Sequence, residues 1–137
     1  MALLFAAALV PLAAPGVAQA APSCNSFTTY TVNEGYLRVP SIGWATGNIN
    51  CDLGRGNVGD AVRVIQVGLN SCRGEALSED GEFGSRTEAA VRREQARRGV
   101  SQDGRYGPIT RRAGFPLPVF PTFETWNKVA GVCYNVG

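Results

Sequence analysis

The chain has 137 residues, 45% of them hydrophobic and 18% charged, with a formal net charge of +2. That length allows one domain with a modest core, and so small a positive excess argues against nucleic acid as a partner. The chain has no histidine, which excludes Ser-His and Cys-His nucleophile pairs and the common zinc hydrolase sites.

Met1 to Ala20 carries no charged side chain, runs Leu3, Leu4, Phe5, Leu9 and Val10 ahead of Pro11 and Pro15, and ends Ala18-Gln19-Ala20. The small-x-small ending predicts that residues 1–20 are a signal peptide removed on export. A membrane anchor would need about 20 apolar residues without the prolines, so no membrane association is expected after cleavage. The leader departs from the usual pattern in having no Lys or Arg near its start. All four cysteines, Cys24, Cys51, Cys72 and Cys133, lie beyond it. In an exported chain they predict two disulfides, and the absence of C-x2-C spacing and of His argues against a metal site. No cofactor is expected.

Residues 21–53 form an N-terminal extension rich in Thr, Tyr, Asn and Gly. Thr29-Tyr30-Thr31-Val32 and Tyr36-Leu37-Arg38-Val39 flank Asn33-Glu34-Gly35, which reads as a β-hairpin with a Gly-containing loop. A lone hairpin is marginal, so Cys24 is expected to be tied to Cys51 and to clip it shut.

Residues 54–115 carry helical signals. Asn57 is placed to cap a first helix and Asp60 to complement its dipole, with Val58, Val62, Ile65 and Leu69 as one apolar stripe. Gln66 lies beside the stripe, where a long polar side chain is expected to bond a loop backbone. Next comes a phrase that occurs twice. Asp80-Gly81-Glu82-Phe83-Gly84-Ser85-Arg86-Thr87 is matched 23 residues later by Asp103-Gly104-Arg105-Tyr106-Gly107-Pro108-Ile109-Thr110. Each copy reads as a turn that opens a helix. In the second helix Ser85 and Glu88 have capping-box spacing, and Gly99 supplies the stop. Its outer face, Arg86, Arg92, Arg93, Arg97 and Arg98, reads as solvated. The third helix opens at Gly107 with Pro108 at its first position, and Gly114, Pro116 and Pro118 end it.

Residues 116–137 form a C-terminal tail. Phe123, Trp126 and Val129 recur at intervals of three, giving a short final helix or a packed tail. Three connectivities are open to four cysteines. Cys51 with Cys72 is the least favoured, because a helix separates them. If the three helices run up, down and up, Cys72 and Cys133 approach each other. The expected fold is therefore mainly α: a compact three-helix bundle, a disulfide-tied hairpin extension and a tail.

The run Gly59-Asp60-Ala61-Val62-Arg63-Val64-Ile65-Gln66, Leu69, the first copy of the phrase, Ala90-Val91 with Gln95, Gly99-Val100 and the second copy resembles the type 1 peptidoglycan-binding domain. The resemblance covers Leu53 to about Phe115 and implies a compact three-helix module that attaches to bacterial cell wall. The flanks are similar to those of small secreted actinobacterial proteins that carry one such module. Two positions depart from the family pattern. Glu94 stands where an aromatic is usual before the Gln, and Ile65 where Leu is usual; the second change conserves volume.

Peptidoglycan offers sugar rings, hydroxyls, amides and peptide carboxylates. For a surface that holds it, Tyr106 and Arg105 from the second turn, Arg86 from the first, and Arg63 and Arg111 as carboxylate clamps are the candidate contacts, with Asp80 and Asp103 as lesser ones. Gln66, Gly81, Phe83, Gly84, Thr87, Gly104, Gly107 and Thr110 are read as shaping the turns, with Phe83 in the core. The reading is a secreted, non-catalytic protein at the cell wall or outside the cell, whose partner is peptidoglycan. A scaffold or regulator of a secreted wall hydrolase is the alternative. Catalysis by two carboxylates drawn from Glu75, Glu79, Asp80 and Glu82 is a weaker third.

Overall fold

The computed structural model describes residues 21–129 and 132–135; the leader expected over residues 1–20 lies outside them. Seven elements follow in chain order: β1 (Ser26–Val32), β2 (Gly35–Ser41), α1 (Asp60–Arg73), α2 (Ser85–Arg98), α3 (Pro108–Arg112), β3 (Pro116–Phe120) and β4 (Cys133–Asn135). The strands make one antiparallel sheet in the order β1-β2-β3-β4.

This architecture corrects the expectation of a mainly-α three-helix bundle. The stretch Pro116–Phe120 extends as β3, pairing Tyr36 with Phe120 and Leu37 with Val119 on one side, and Leu117 with Tyr134 on the other. All five of its residues are buried, and α1 packs on it rather than on a helix layer. Gly68 is the point of closest approach: a β-carbon there would lie 2.6 Å from the Pro116 carbonyl oxygen. The third helix has only five residues, too few to act as a bundle member.

Local readings change in the same way. Helix α1 begins at Asp60 after Gly59 and has no side-chain cap. The Asn57 carboxamide oxygen instead accepts the Gly54 N–H at 2.7 Å, closing the turn before the helix. Val58 stands outside α1 and is 71% exposed, so the apolar stripe begins at Val62. The capping box at Ser85 does not form, and Glu88 pairs with Arg92 and Arg55 instead.

No helix forms over residues 121–129. They run as a strap across the sheet, fixed by Arg38, whose Nη2 donates to the carbonyls of Phe123 at 2.7 Å and Thr125 at 2.9 Å. Arg38 is almost wholly buried, and its guanidinium lies over the rings of Phe120, Trp126 and Phe27 at 4.2, 4.5 and 4.8 Å. These aromatic faces offer the charge partial compensation. Disulfides join Cys24 to Cys51 and Cys72 to Cys133. The second carries β4 to the end of α1.

Glu94, the departure from the family pattern, is fully buried on α2. It receives Arg73 at 2.6 and 3.0 Å, Arg98 at 2.9 Å and Arg97 at 3.3 Å. Three guanidinium groups thus satisfy the carboxylate and tie α1 to α2. Burial pushes this carboxyl upward, but the hydrogen bonds from Arg73 and Arg98 outweigh that and hold it below the ordinary glutamate value.

Candidate functional site

Each copy of the repeated phrase is built around one buried glutamine. The Gln66 amide nitrogen donates to Asp80 Oδ1 at 3.1 Å, the Glu82 carbonyl at 2.9 Å and Thr87 Oγ1 at 3.2 Å. Its carboxamide oxygen accepts the Gly81 N–H at 2.9 Å. Gln95 repeats the pattern with Asp103 at 2.7 Å, the Arg105 carbonyl at 3.0 Å, Thr110 at 2.9 Å and the Gly104 N–H at 2.9 Å. In both turns the aspartate also accepts the N–H two residues on. This four-bond hub explains why Asp, Gly and Thr recur together with a Gln on the preceding helix.

Glycine is required at the second position of each turn. Gly81 and Gly104 hold φ of 76° and 75°, in the left-handed region that glycine adopts without strain. A β-carbon would also meet the Gly59 carbonyl oxygen at 2.9 Å in the first turn and Glu88 Cγ at 2.6 Å in the second. Phe83 and Tyr106 then turn inward and are buried. Gly84 and Gly107 lead the chain into α2 and α3.

The two turns differ in what covers them. Over the second, Arg105 donates from Nε and Nη2 to Asp52 Oδ2 at 3.0 and 2.8 Å. Leu53 and Tyr106 exchange backbone hydrogen bonds there at 2.7 and 2.9 Å. The first turn is bordered instead by an open groove of about 430 Å3. Ala76, Leu77 and Ser78 line it, Gly84 to Thr87 contribute the start of α2, Asp80 and Glu82 add carboxylates, and Gln66 belongs to its lining. A β-carbon on Gly84 would meet nothing within 4 Å.

Charge is distributed unevenly around this groove. The first N–H groups of α2 have no partner within the helix, and its positive end favours an anion. Arg86 stands exposed at the same place and makes no ion pair among the described residues. Asp80 and Glu82 supply negative charge. The Glu82 N–H, and after it the Gln66 amide, hold the Asp80 carboxyl below its ordinary value, so Asp80 stays ionised as the anchor of its turn. The groove can therefore receive a ligand carboxylate at α2 and Arg86, and amide or hydroxyl donors at the acidic side.

Of the expected contacts, the groove brings together Arg86 and Asp80. Tyr106 is a correction: it is 0% exposed, with its ring edge-to-face on Phe115 at 4.9 Å, so it presents no surface to a ligand. Arg105 is committed to Asp52, and Asp103 to the covered turn. Arg63 lies over the Trp126 ring at 4.3 Å, and Arg111 is 5% exposed; neither lines the groove. Gln66, Gly84 and Thr87 line it as well as shaping it. The wall at Ala76–Ser78 carried no motif. The parallel role of Gln95 had a signal in the sequence, since both turns follow a helix that bears a Gln.

Residues 58–113 match the family described as "Putative peptidoglycan binding domain". The chain is similar to a zinc D-Ala-D-Ala carboxypeptidase of Streptomyces albus G, 42% identical over 60 residues. That match takes in 42% of this chain and 24% of the relative, so the chain spans about a quarter of that curated relative. Among solved structures it is similar to the SleB N-terminal domain, at 32% identity and a TM-score of 0.43, over 45% of this chain and 85% of the other. It is also similar to a peptidoglycan-binding protein from Clostridioides difficile solved with glutamine hydroxamate. There the identity is 28% and the TM-score 0.47, over 61% of this chain and 53% of the other.

Proposed function

We propose that this protein holds bacterial peptidoglycan in the groove beside α2 and does not cleave it. The observation that carries the reading is a coincidence of place: the open groove borders the first of two turns inside the family segment, residues 58–113. A stem-peptide carboxylate would sit at the α2 N-terminus and Arg86, with neighbouring amides and hydroxyls facing Asp80, Glu82 and Ser85. Binding without catalysis is supported by the commitments of three of the four acidic candidates, which leave Glu82 without a paired carboxylate partner for catalysis. Glu75 is paired to Arg93, Glu79 bonds Asn70 and Lys128, and Asp80 serves its turn. All four cysteines are in disulfides, and the chain has no histidine. We place its action at the cell wall or outside the cell after removal of a leader over residues 1–20.

Co-sedimentation with purified sacculi tests this directly. The intact protein is expected in the pellet and is released by soluble muropeptides. Arg86→Ala is expected to weaken retention about two- to fivefold, the loss of one solvent-exposed charge contact, with no change in melting. A protein that stays in the supernatant with clean sacculi would sink the reading. Release of reducing ends or free peptide by the pure protein would sink its non-catalytic part.

A further inference from the structure

The N-terminal part of the described chain has a surface chemistry unlike the Arg-rich helical part. Between Ala21 and Cys51 the only charged side chains are Glu34 and Arg38, and Arg38 is buried. The exposed positions there include Asn25, Thr31, Asn33, Thr46, Asn48 and Asn50, all neutral hydroxyls and carboxamides. Among them stands Trp44, 72% exposed, a degree rare for the largest side chain.

The loop that carries Trp44 is fastened at several points. Ile42 N donates to the Asn48 carbonyl at 2.9 Å, Gly43 N to Asn25 Oδ1 at 2.7 Å, Ala45 N to the Phe27 carbonyl at 3.2 Å and Gly47 N to Thr28 Oγ1 at 2.9 Å. Ala45, next to the indole, holds a φ of 57°, the one positive value at a non-glycine residue among those described. A loose loop would fold its tryptophan onto the sheet to escape water; this loop holds it out. Thr28, whose hydroxyl receives the loop, alternates with Tyr30 on the same side of β1. Tyr30 is 39% exposed, so a second aromatic lies on the face where the loop is seated.

We propose that Trp44 is a stacking platform for a pyranose ring of an uncharged glycan strand, a contact outside residues 58–113. It rests on the wall-binding reading above. The C–H face of a pyranose is apolar and weakly positive, and it packs on the negative face of an indole. Its hydroxyl and acetamido groups find Asn and Thr around the ring. An anionic polymer would call for cations, and this surface has none exposed between Ala21 and Cys51. A protein partner anchored on a tryptophan would call for an apolar or Arg-bearing surround, and here the surround is short and polar. A glycan strand that meets Trp44 while its stem peptide occupies the groove would gain avidity from two weak contacts.

The probe is the uncharged chitin tetramer, which has N-acetylated sugar rings and no peptide. Wild-type protein is titrated by calorimetry and by tryptophan emission, with Trp44→Ala and Trp44→Phe alongside. Binding is expected with a blue shift of emission, about tenfold weaker for Trp44→Ala and largely kept by Trp44→Phe. The melting temperature should not move, because the loop's fastening bonds use other residues. No tetramer binding by the wild type, equal binding by Trp44→Ala, or a wild-type dimer that Trp44→Ala makes monomeric would overturn the proposal. Failure of wild-type protein to sediment with sacculi would instead count against the wall-binding reading, and the tetramer titration reads Trp44 independently of it.

Discussion

Gln66→Glu tests the glutamine hub with almost no change of shape, because it exchanges one NH2 for an oxygen. The amide nitrogen it removes donates to Asp80 Oδ1, the Glu82 carbonyl and Thr87 Oγ1 at 3.1, 2.9 and 3.2 Å. The new oxygen faces all three. Thr87 can turn its hydroxyl to donate, but the Asp80 carboxylate and the Glu82 carbonyl have nothing to offer. Two lost hydrogen bonds at about 1 kcal/mol each, together with a buried negative charge beside Asp80, give a loss of about 3–5 kcal/mol at pH 7. That is a large share of the usual 5–15 kcal/mol of a small domain, roughly.

The sign with pH follows from the same geometry. Burial and the Asp80 charge raise the new carboxyl in the folded variant, and the protonated form returns an O–H donor to the hub. The ionisation part of the penalty is therefore absent below the unfolded glutamate value of about 4.3 and grows as pH rises toward the raised folded value, while one of the two lost hydrogen bonds is restored by the O–H. Thermal unfolding followed by circular dichroism at pH 4 and pH 7 is the assay. The variant should melt about 10–20 °C below wild type at pH 7 and much closer to it at pH 4. Equal melting at pH 7, or a gap that ignores pH, would refute the claim that the amide holds the turn.

Wild-type protein should show the opposite pH trend through Glu94, whose folded carboxyl is held below its ordinary value of 4.5. That stability is present above the unfolded value and is lost as pH falls through the folded one. Glu94→Gln should cost about 2 kcal/mol near pH 7 and flatten the acid side of a melting-temperature profile; a profile that stays steep would clear Glu94. Tyr106→Ala should destabilise by about 3–5 kcal/mol, as deletion of a buried ring does, so weakened wall retention in that variant would report on folding. Tyr106→Phe is the informative change. The buried hydroxyl has no partner among the described residues, so its removal should leave urea stability unchanged or raise it by up to about 1 kcal/mol.

The turns were legible in the sequence because their chemistry is local. Asp-Gly needs only itself to announce a left-handed turn, and the second copy 23 residues on removes coincidence. The hairpin residues carried alternation and a Gly-bearing loop, and β1 and β2 lie over them. The rest of the sheet was hidden. Pro116 and Pro118 carry no N–H and read as terminators, yet β3 pairs through its other residues with Tyr36 and Leu37, some 80 positions away in the chain. No local pattern encodes such a pairing. The three-residue spacing of Phe123, Trp126 and Val129 suggested a helix, but Arg38 captures the carbonyls of Phe123 and Thr125 that a helix would have used.

Tyr106 shows why a turn residue resists assignment from its side chain alone. Its hydroxyl argued for the surface, while Phe115 and the pairing with Leu53 draw the ring inside. The same distant segment decides which copy of the phrase becomes a site. Both turns have the same hub, the same left-handed glycine and the same inward aromatic. Asp52 covers the second by taking Arg105 and standing beside Gly107, whereas Gly84 and Arg86 of the first meet open space. Duplication thus supplies two equivalent frames, and the extension held by Cys24 and Cys51 closes one of them. The groove is a property of the whole chain, and the repeat by itself determines only where a groove can be.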